Sequence, residues 1–108
     1  MNGPQYRTAF VSLTGDRDLN QDRHAIFGRG AERLLLVADG MGGHNAGEVA
    51  SNLVVKTIRD YLNQNPATEP LQKSHNTDGR LSKEARRLLA GIHLSNRVVH
   101  QAALQNEL

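Results

Sequence analysis

The segment that most constrains the fold is Asp39-Gly40-Met41-Gly42-Gly43, which directly follows the apolar run Leu34–Ala38. A near-continuous run of Leu, Val and Ala is typical of a strand buried in a sheet. Closely spaced glycines allow backbone conformations and close approaches that other residues do not. The sequence therefore predicts a buried strand that ends in an acidic side chain and an unusual backbone turn.

Two segments before this strand also have strand-like composition. Tyr6–Leu13 is rich in β-forming residues, and His24–Phe27 is a short apolar stretch that ends at the turn-like segment Gly28–Ala31. We expect His24–Phe27 and Arg33–Ala38 to pair as an antiparallel hairpin through that turn. The sheet should then contain about three antiparallel strands.

Helical periodicity begins after residues 39–43, which we call the glycine segment. Asn45 is a candidate N-cap and Glu48 completes a pattern like a capping box, so a first helix should run to about Leu62. The predicted helical stripe comprises Ala46, Ala50, Leu53, Val54, Thr57 and Tyr61. The polar segment 63–80 predicts a long exposed loop between helices.

A second helix should begin near Ser82, with Gly91 inside it as the mark of a close packing contact. Its predicted stripe comprises Leu81, Ala85, Leu88, Ile92, Ser95, Val99 and Ala102. Strands grouped before helices indicate an α+β fold with the helices on one face of an antiparallel sheet. The other face, rich in Leu and Val, would need a further layer.

Composition and charge exclude several classes of function. The net charge is only +2 and no run of Lys or Arg is present, so neither nucleic acid nor a polybasic membrane contact is expected. The absence of Cys excludes disulfides, thiolate chemistry and cysteine zinc sites. The longest apolar run is too short to span a bilayer, and we expect no signal peptide, because no charged start followed by an apolar stretch is seen in the first residues. We expect a cytoplasmic protein.

The residues Asp39 and Gly40 are candidate metal ligands. A carboxylate at a strand end beside an uncovered glycine carbonyl is a hard-oxygen pair suited to Mg²⁺ or Mn²⁺. The alternative is an Asp that caps the turn into the helix. The glycines could instead cradle a phosphate, but the patterns of the P-loop and of the dinucleotide-binding loop are both unmet.

The second constellation is the segment Arg17–Asp22. The guanidinium of Arg17 could bind a phosphate, while the carboxylate of Asp22 could serve a metal. Taken in isolation, this segment has the composition of an ordinary polar turn.

In order along the chain, Asn20-Gln21-Asp22, Leu35–His44 and Ala46–Ser51 strongly resemble the PPM (2C-type) family of metal-dependent protein serine/threonine phosphatases, especially its bacterial branch. Ile92–Val99 resembles a helix of the family more weakly. The resemblance covers about residues 7–104. It implies the N-terminal half of an α/β/β/α sandwich, two Mg²⁺ or Mn²⁺ ions in the complete domain, and phosphoproteins as substrates.

The resemblance also implies roles for individual residues. Asp39 would bridge the two metal ions, Gly40 would give its carbonyl to one of them, and Asp22 would hold water in the outer shell. Arg17 would bind the substrate phosphate. In the family, water attacks phosphorus directly and no covalent phosphoenzyme forms.

Two positions depart from the family pattern. Gln21 stands where some members carry Glu as a metal ligand, and a neutral amide binds a dication more weakly. Met41 stands where animal members carry a His proposed as general acid, and His44 is a tentative substitute for it.

The family's further metal-binding aspartates lie downstream of any segment matched here. We therefore expect residues 1–108 to be the N-terminal part of a phosphatase domain, inactive alone, whose missing partner is the C-terminal half of the domain. Two other functions stay open, a non-catalytic half-domain that binds a partner through its exposed sheet face, and a minor metal- or phosphate-binding protein.

Overall fold

The structure, a computed structural model, describes residues 9, 11–13, 20–28, 33–43, 45–66, 81–106 and 108. Its elements are β1 (Asp22–Phe27), β2 (Leu34–Asp39), α1 (Ala46–Gln64) and α2 (Lys83–Leu104). The predicted α+β class, with strands followed by helices, is confirmed.

Two predicted segments fall partly or wholly on other residues. Of the strand expected at Tyr6–Leu13, only residues 9 and 11–13 are described, and these lie outside any strand. Most of the loop expected at 63–80 lies outside the described residues, and α1 extends into its first part, to Gln64.

The strands β1 and β2 form the expected antiparallel hairpin, in a register that pairs Asp22 with Asp39 at one end. Side chains alternate between the two faces of a sheet. Along β2, Leu35 and Val37 are exposed while Ala38 is buried. One face of the hairpin is therefore covered and the other, which we call the open face, is exposed. Its residues are Asp22, His24, Ile26, Leu35, Val37 and Asp39.

The helix α1 covers the other face of the hairpin, and α2 packs against α1 rather than on the described strands. The two helices are thus stacked on one side of the hairpin, in agreement with the expectation that the helices lie on one face of the sheet. The small core lies around α1, where Ile58 is 1% exposed and Val55 is also buried.

The helical stripes were predicted only in part. The most buried positions of α1 are Gly47, Ser51, Val55 and Ile58, whereas the predicted stripe residues are half-buried. In α2, Ser95 and Ala102 are buried as predicted, but Ile92 is exposed. Small residues face the neighbouring elements because they let the backbones approach closely. The prediction that Gly91 marks such a contact is confirmed, since a Cβ there would lie 3.4 Å from Tyr61 Cδ1.

The two helix N-termini differ in how they are capped. Ser82 caps α2, since its hydroxyl accepts from the Ala85 N–H at 3.1 Å. Asn45 is the N-cap residue of α1, as predicted, but it has φ 69° and its side chain makes no capping hydrogen bond. The capping box predicted with Glu48 is therefore wrong, because that carboxylate pairs with Arg23 of β1 instead.

Candidate functional site

The site is centred on two carboxylates that face each other across the end of the hairpin. Asp22 is the first residue of β1 and Asp39 the last of β2, and they are direct partners in the register. Cross-strand partners have Cα atoms about 4.5–5.5 Å apart and side chains on the same face. Both residues are exposed. Within the described residues, the Asp39 carboxylate has no hydrogen-bond or ion-pair partner.

The antiparallel ladder continues one residue beyond both strands. The N–H of Gly40 donates to the carbonyl of Gln21 at 3.3 Å, so these two residues form the next pair. Gly40 is buried, and a Cβ there would lie 1.8 Å from the carbonyl oxygen of Gly47. Only glycine fits at this point, because the hairpin end lies directly against the backbone of α1.

The side chain of Gln21 lies on the α1 side of the hairpin, opposite the two carboxylates. Its Nε2 donates to the carbonyl of Gly42 at 2.8 Å, and its amide group would be within 2.6–2.8 Å of a Cβ placed on Gly47. The carbonyl of Gln21 also accepts from the Ser51 hydroxyl at 2.7 Å. Gln21 therefore joins the strand end, the glycine segment and the first turns of α1.

An ion pair fixes the same end of the hairpin to α1. The guanidinium of Arg23 bonds to the Glu48 carboxylate, and it also donates to the carbonyls of Asn20 at 3.0 Å and Asp22 at 2.7 Å. Both charged side chains are about one-third exposed or less. Sequence reasoning missed this pair because its members are distant in the chain, and Glu48 was assigned to local capping.

The arrangement supplies oxygen donors for a hard cation. Two carboxylates directly opposite each other repel unless a positive charge lies between them. Mg²⁺ and Mn²⁺ prefer carboxylate and carbonyl oxygens, which matches Asp22, Asp39 and the main chain of Gly40. Within the described part of the chain, no cluster of three or more His, Cys, Asp or Glu side chains is present. The donor set fits a cation but does not complete its coordination.

The structure brings together some of the predicted site residues. Asp22, Asp39 and Gly40 are adjacent at the hairpin end. Arg17 and His44 lie outside the described residues, so their predicted roles stay predictions. The side chain of Met41 is 93% exposed. Asp39 does not cap α1, because the N-cap residue of that helix is Asn45.

A buried arginine of α2 lies at the far end of α1. Arg87 of α2 is 4% exposed, and it donates to the carbonyls of Asn65 at 2.7 Å and Leu62 at 3.1 Å. It therefore satisfies free carbonyls at the C-terminal end of α1, which has no basic residue in its own last turn. Two consecutive arginines, Arg86 and Arg87, inside the helical pattern are the sequence signal for this contact.

Comparison with known proteins identifies the class. The chain matches the protein phosphatase 2C family over residues 13–107 and belongs to that family. Relatives include the serine/threonine phosphatase stp of Listeria innocua, 38% identical over 52 residues, or 47% of this chain. The serine/threonine protein phosphatase PstP of Mycobacterium tuberculosis is 51% identical over 41 residues, or 38% of this chain.

The matches cover only a small part of those relatives. The aligned segment is 21% of the Listeria protein and 8% of the mycobacterial protein. No solved structure matches the chain. In the described residues, neither helix has the length and apolar character needed to cross a membrane.

Proposed function

We propose that the parent protein hydrolyses phosphoserine and phosphothreonine in proteins with the help of Mg²⁺ or Mn²⁺, and that this chain forms one side of the metal site. The observation that carries the proposal is the register that sets Asp22 directly opposite Asp39, beside the glycine segment. Family membership and the names of the serine/threonine phosphatases that the chain resembles support the substrate class. A cytoplasmic location is part of the same proposal.

The proposed roles follow the chemistry of each group. Asp39 and the carbonyl of Gly40 would bind the metals directly, and Asp22 would act through water. The bound cations would acidify water and neutralise charge on the phosphoryl oxygens. Arg17 would hold the substrate phosphate through its guanidinium fork, and His44 is the tentative proton donor to the leaving oxygen.

The chain alone is proposed to be inactive. Mg²⁺ demands near-octahedral coordination, about six ligands, and usually keeps several waters. One carboxylate and one carbonyl bound directly, with a second carboxylate acting through water, would leave most coordination positions of two ions to water or to further protein ligands. We propose that these come from another part of the parent protein, which would also cover the open face of the sheet.

The metal site is tested by titrating the ¹⁵N-labelled chain with Mn²⁺ and following paramagnetic broadening of amide signals, which detects even weak binding. We expect broadening to centre on residues 22 and 39–42. Asp39→Asn should weaken binding at least about tenfold, since even losses of outer-shell partners cost this much. Asp60→Asn is the matched control, because Asp60 is a half-exposed carboxylate on α1. Equal affinity of Asp39→Asn and wild type would refute the site.

Activity is tested separately with p-nitrophenyl phosphate and a phosphothreonine peptide in the presence of Mn²⁺. The parent protein should turn over both substrates, and its Asp39→Asn variant should not. The 108-residue chain should show no turnover. Manganese-dependent turnover by the chain alone would refute its incompleteness, and an inactive parent protein would refute the enzymatic function.

One observation favours a second candidate, a non-catalytic half-domain that binds a protein partner. Leu35 and Val37 are 63% and 76% exposed on the open face. Adjacent apolar side chains exposed on one surface are typical of a protein interaction site. Under this alternative the chain alone would be folded and soluble at micromolar concentration, with one defined oligomeric state. Circular dichroism that shows an unfolded chain, or gel filtration that shows heterogeneous aggregates, would count against it.

A further inference from the structure

We infer that Gln21 is a positioning residue that fixes the glycine segment on α1, and not a metal ligand. The inference rests on the proposed metal site and assigns a different role to the position where some family members carry a ligand. Its first support is the register. Gln21 pairs with Gly40 one step beyond Asp22 and Asp39. Since side chains alternate along a strand, Gln21 lies on the face opposite the carboxylates.

The second support is how the amide of Gln21 is used. Its Nε2 donates to the Gly42 carbonyl at 2.8 Å, which requires an NH₂ group that a carboxylate lacks. A Glu here would place negative charge against that carbonyl oxygen. The amide thus suits a contact within the protein, whereas a family member with Glu would need a different arrangement at this point.

The third support is the fit between Gln21 and α1. A Cβ on Gly47 would come within 2.6 Å of the Gln21 side chain, so α1 accepts this amide only because residue 47 is glycine. The buried Ser51 hydroxyl and the Gly40 N–H both bond to the Gln21 carbonyl, at 2.7 and 3.3 Å. Main chain and side chain of Gln21 therefore hold both ends of the turn that carries Gly40.

The consequence for function is that the geometry of Asp39 and Gly40 depends on a residue that does not touch the metal. If the hydrogen bond from the Gln21 side-chain amide to the Gly42 carbonyl is lost, the glycine segment should separate from α1 more often. The proposed ligands Asp39 and Gly40 would then be held in a less uniform geometry. A hydrogen bond of ordinary net strength, about 1 kcal/mol, corresponds to a change of about fivefold in the opening equilibrium.

The first measurement uses metal-free chain and amide hydrogen exchange. Gln21→Met keeps the length of the side chain but removes the donor. We expect the Gly40 N–H to exchange about fivefold faster in Gln21→Met than in wild type. The exchange rate of the Gly91 N–H in α2 should change only as far as the global stability of the variant changes. An unchanged Gly40 exchange rate would overturn the positioning role.

The second measurement is Mn²⁺ affinity at about 0.5 M KCl, where long-range charge effects are screened. Gln21→Met and Gln21→Glu should both bind Mn²⁺ about fivefold more weakly than wild type. If Gln21 were a ligand, Gln21→Glu would bind more tightly than wild type, and that result would overturn the inference. Ile58→Val is the control for general destabilisation, because Ile58 is 1% exposed in the core, and its Mn²⁺ affinity should be unchanged.

The two measurements separate this inference from the proposed function. If the wild-type chain takes up no Mn²⁺, the proposed metal site fails, and the exchange of the Gly40 amide alone decides whether Gln21 holds the segment. If Mn²⁺ binds but neither Gln21 variant changes the affinity, the metal site stands and the positioning role is wrong.

Discussion

Replacement of Gly40 by Ala should destabilise the chain more than any other single methyl group added to the glycine segment. A Cβ at residue 40 would lie 1.8 Å from the Gly47 carbonyl oxygen and 3.0 Å from the Gln21 carbonyl oxygen. Contacts under 3.0 Å are essentially never seen for real Cβ atoms, so the hairpin end and α1 would have to separate by at least 1.2 Å. Both obstructing atoms belong to the main chain and cannot rotate away.

The expected cost is about 3 kcal/mol of unfolding free energy. Overpacking typically costs about 1–3 kcal/mol. The separation would also weaken the Gly40 N–H bond to Gln21 and the bond from Gln21 to Gly42, at about 1 kcal/mol for each bond that is lost. Against a total stability of about 5–15 kcal/mol, a loss of this size is easily measured.

The assay is urea denaturation of wild type, Gly40→Ala and Gly43→Ala in metal-free buffer, followed by circular dichroism. The unfolding free energies are compared once the three m-values are found to agree. Gly43 is the matched control, because a Cβ there meets nothing within 4 Å. It should be neutral or stabilising by up to about 1 kcal/mol. A Gly40→Ala variant within about 0.5 kcal/mol of wild type would refute the close contact. Equal losses in both variants would show that the segment needs glycine for another reason.

Three further changes test contacts between elements, each by urea denaturation. Arg87→Met should lower the free energy of unfolding by about 2–3 kcal/mol, because two carbonyls at the end of α1 lose their charged donor. The control Arg97→Met, at an exposed position of the same helix, should stay within about 0.5 kcal/mol of wild type. Glu48→Gln should lower the free energy of unfolding by about 1 kcal/mol, because it weakens the pair with Arg23. Unchanged stability of this variant, even at low salt, would contradict that pair. Gly91→Ala should stabilise by about 0.5 kcal/mol, because the gain in helix propensity exceeds the cost of a contact at 3.4 Å; destabilisation would mean that α1 is closer than described.

The hairpin was predictable because its signals are local. The apolar run before Asp39 and the glycine turn after Phe27 indicate two short strands and their antiparallel pairing. That pairing is enough to bring Asp39 near the segment that begins at Asn20. The sequence does not show the register itself, and a shift of one residue would have moved Asp22 away from its partner.

The docking of the helices was less predictable because it depends on distant residues. Local rules assign Glu48 to the helix N-terminus, but an Arg on β1 provides a charged partner that the capping box cannot match. In the same way, Gly47 and Gly91 count against a helix by propensity, yet they lie where α1 meets Gln21 and where α2 meets α1. Hydrophobic periodicity therefore misplaced the stripes, because the closest contacts are made by small residues.

The opposed carboxylates explain why the hairpin end needs so many anchors on its other face. Asp22 and Asp39 as direct cross-strand partners break the usual rule for pairing charges in a sheet. On the other face, the bonds from Gln21 and the pair of Arg23 with Glu48 hold this strand end against α1. Local rules are expected to fail where function requires an unfavourable arrangement. The two carboxylates and these anchoring contacts lie on opposite faces of one strand end, and we propose the carboxylate side of that end as the metal-binding side.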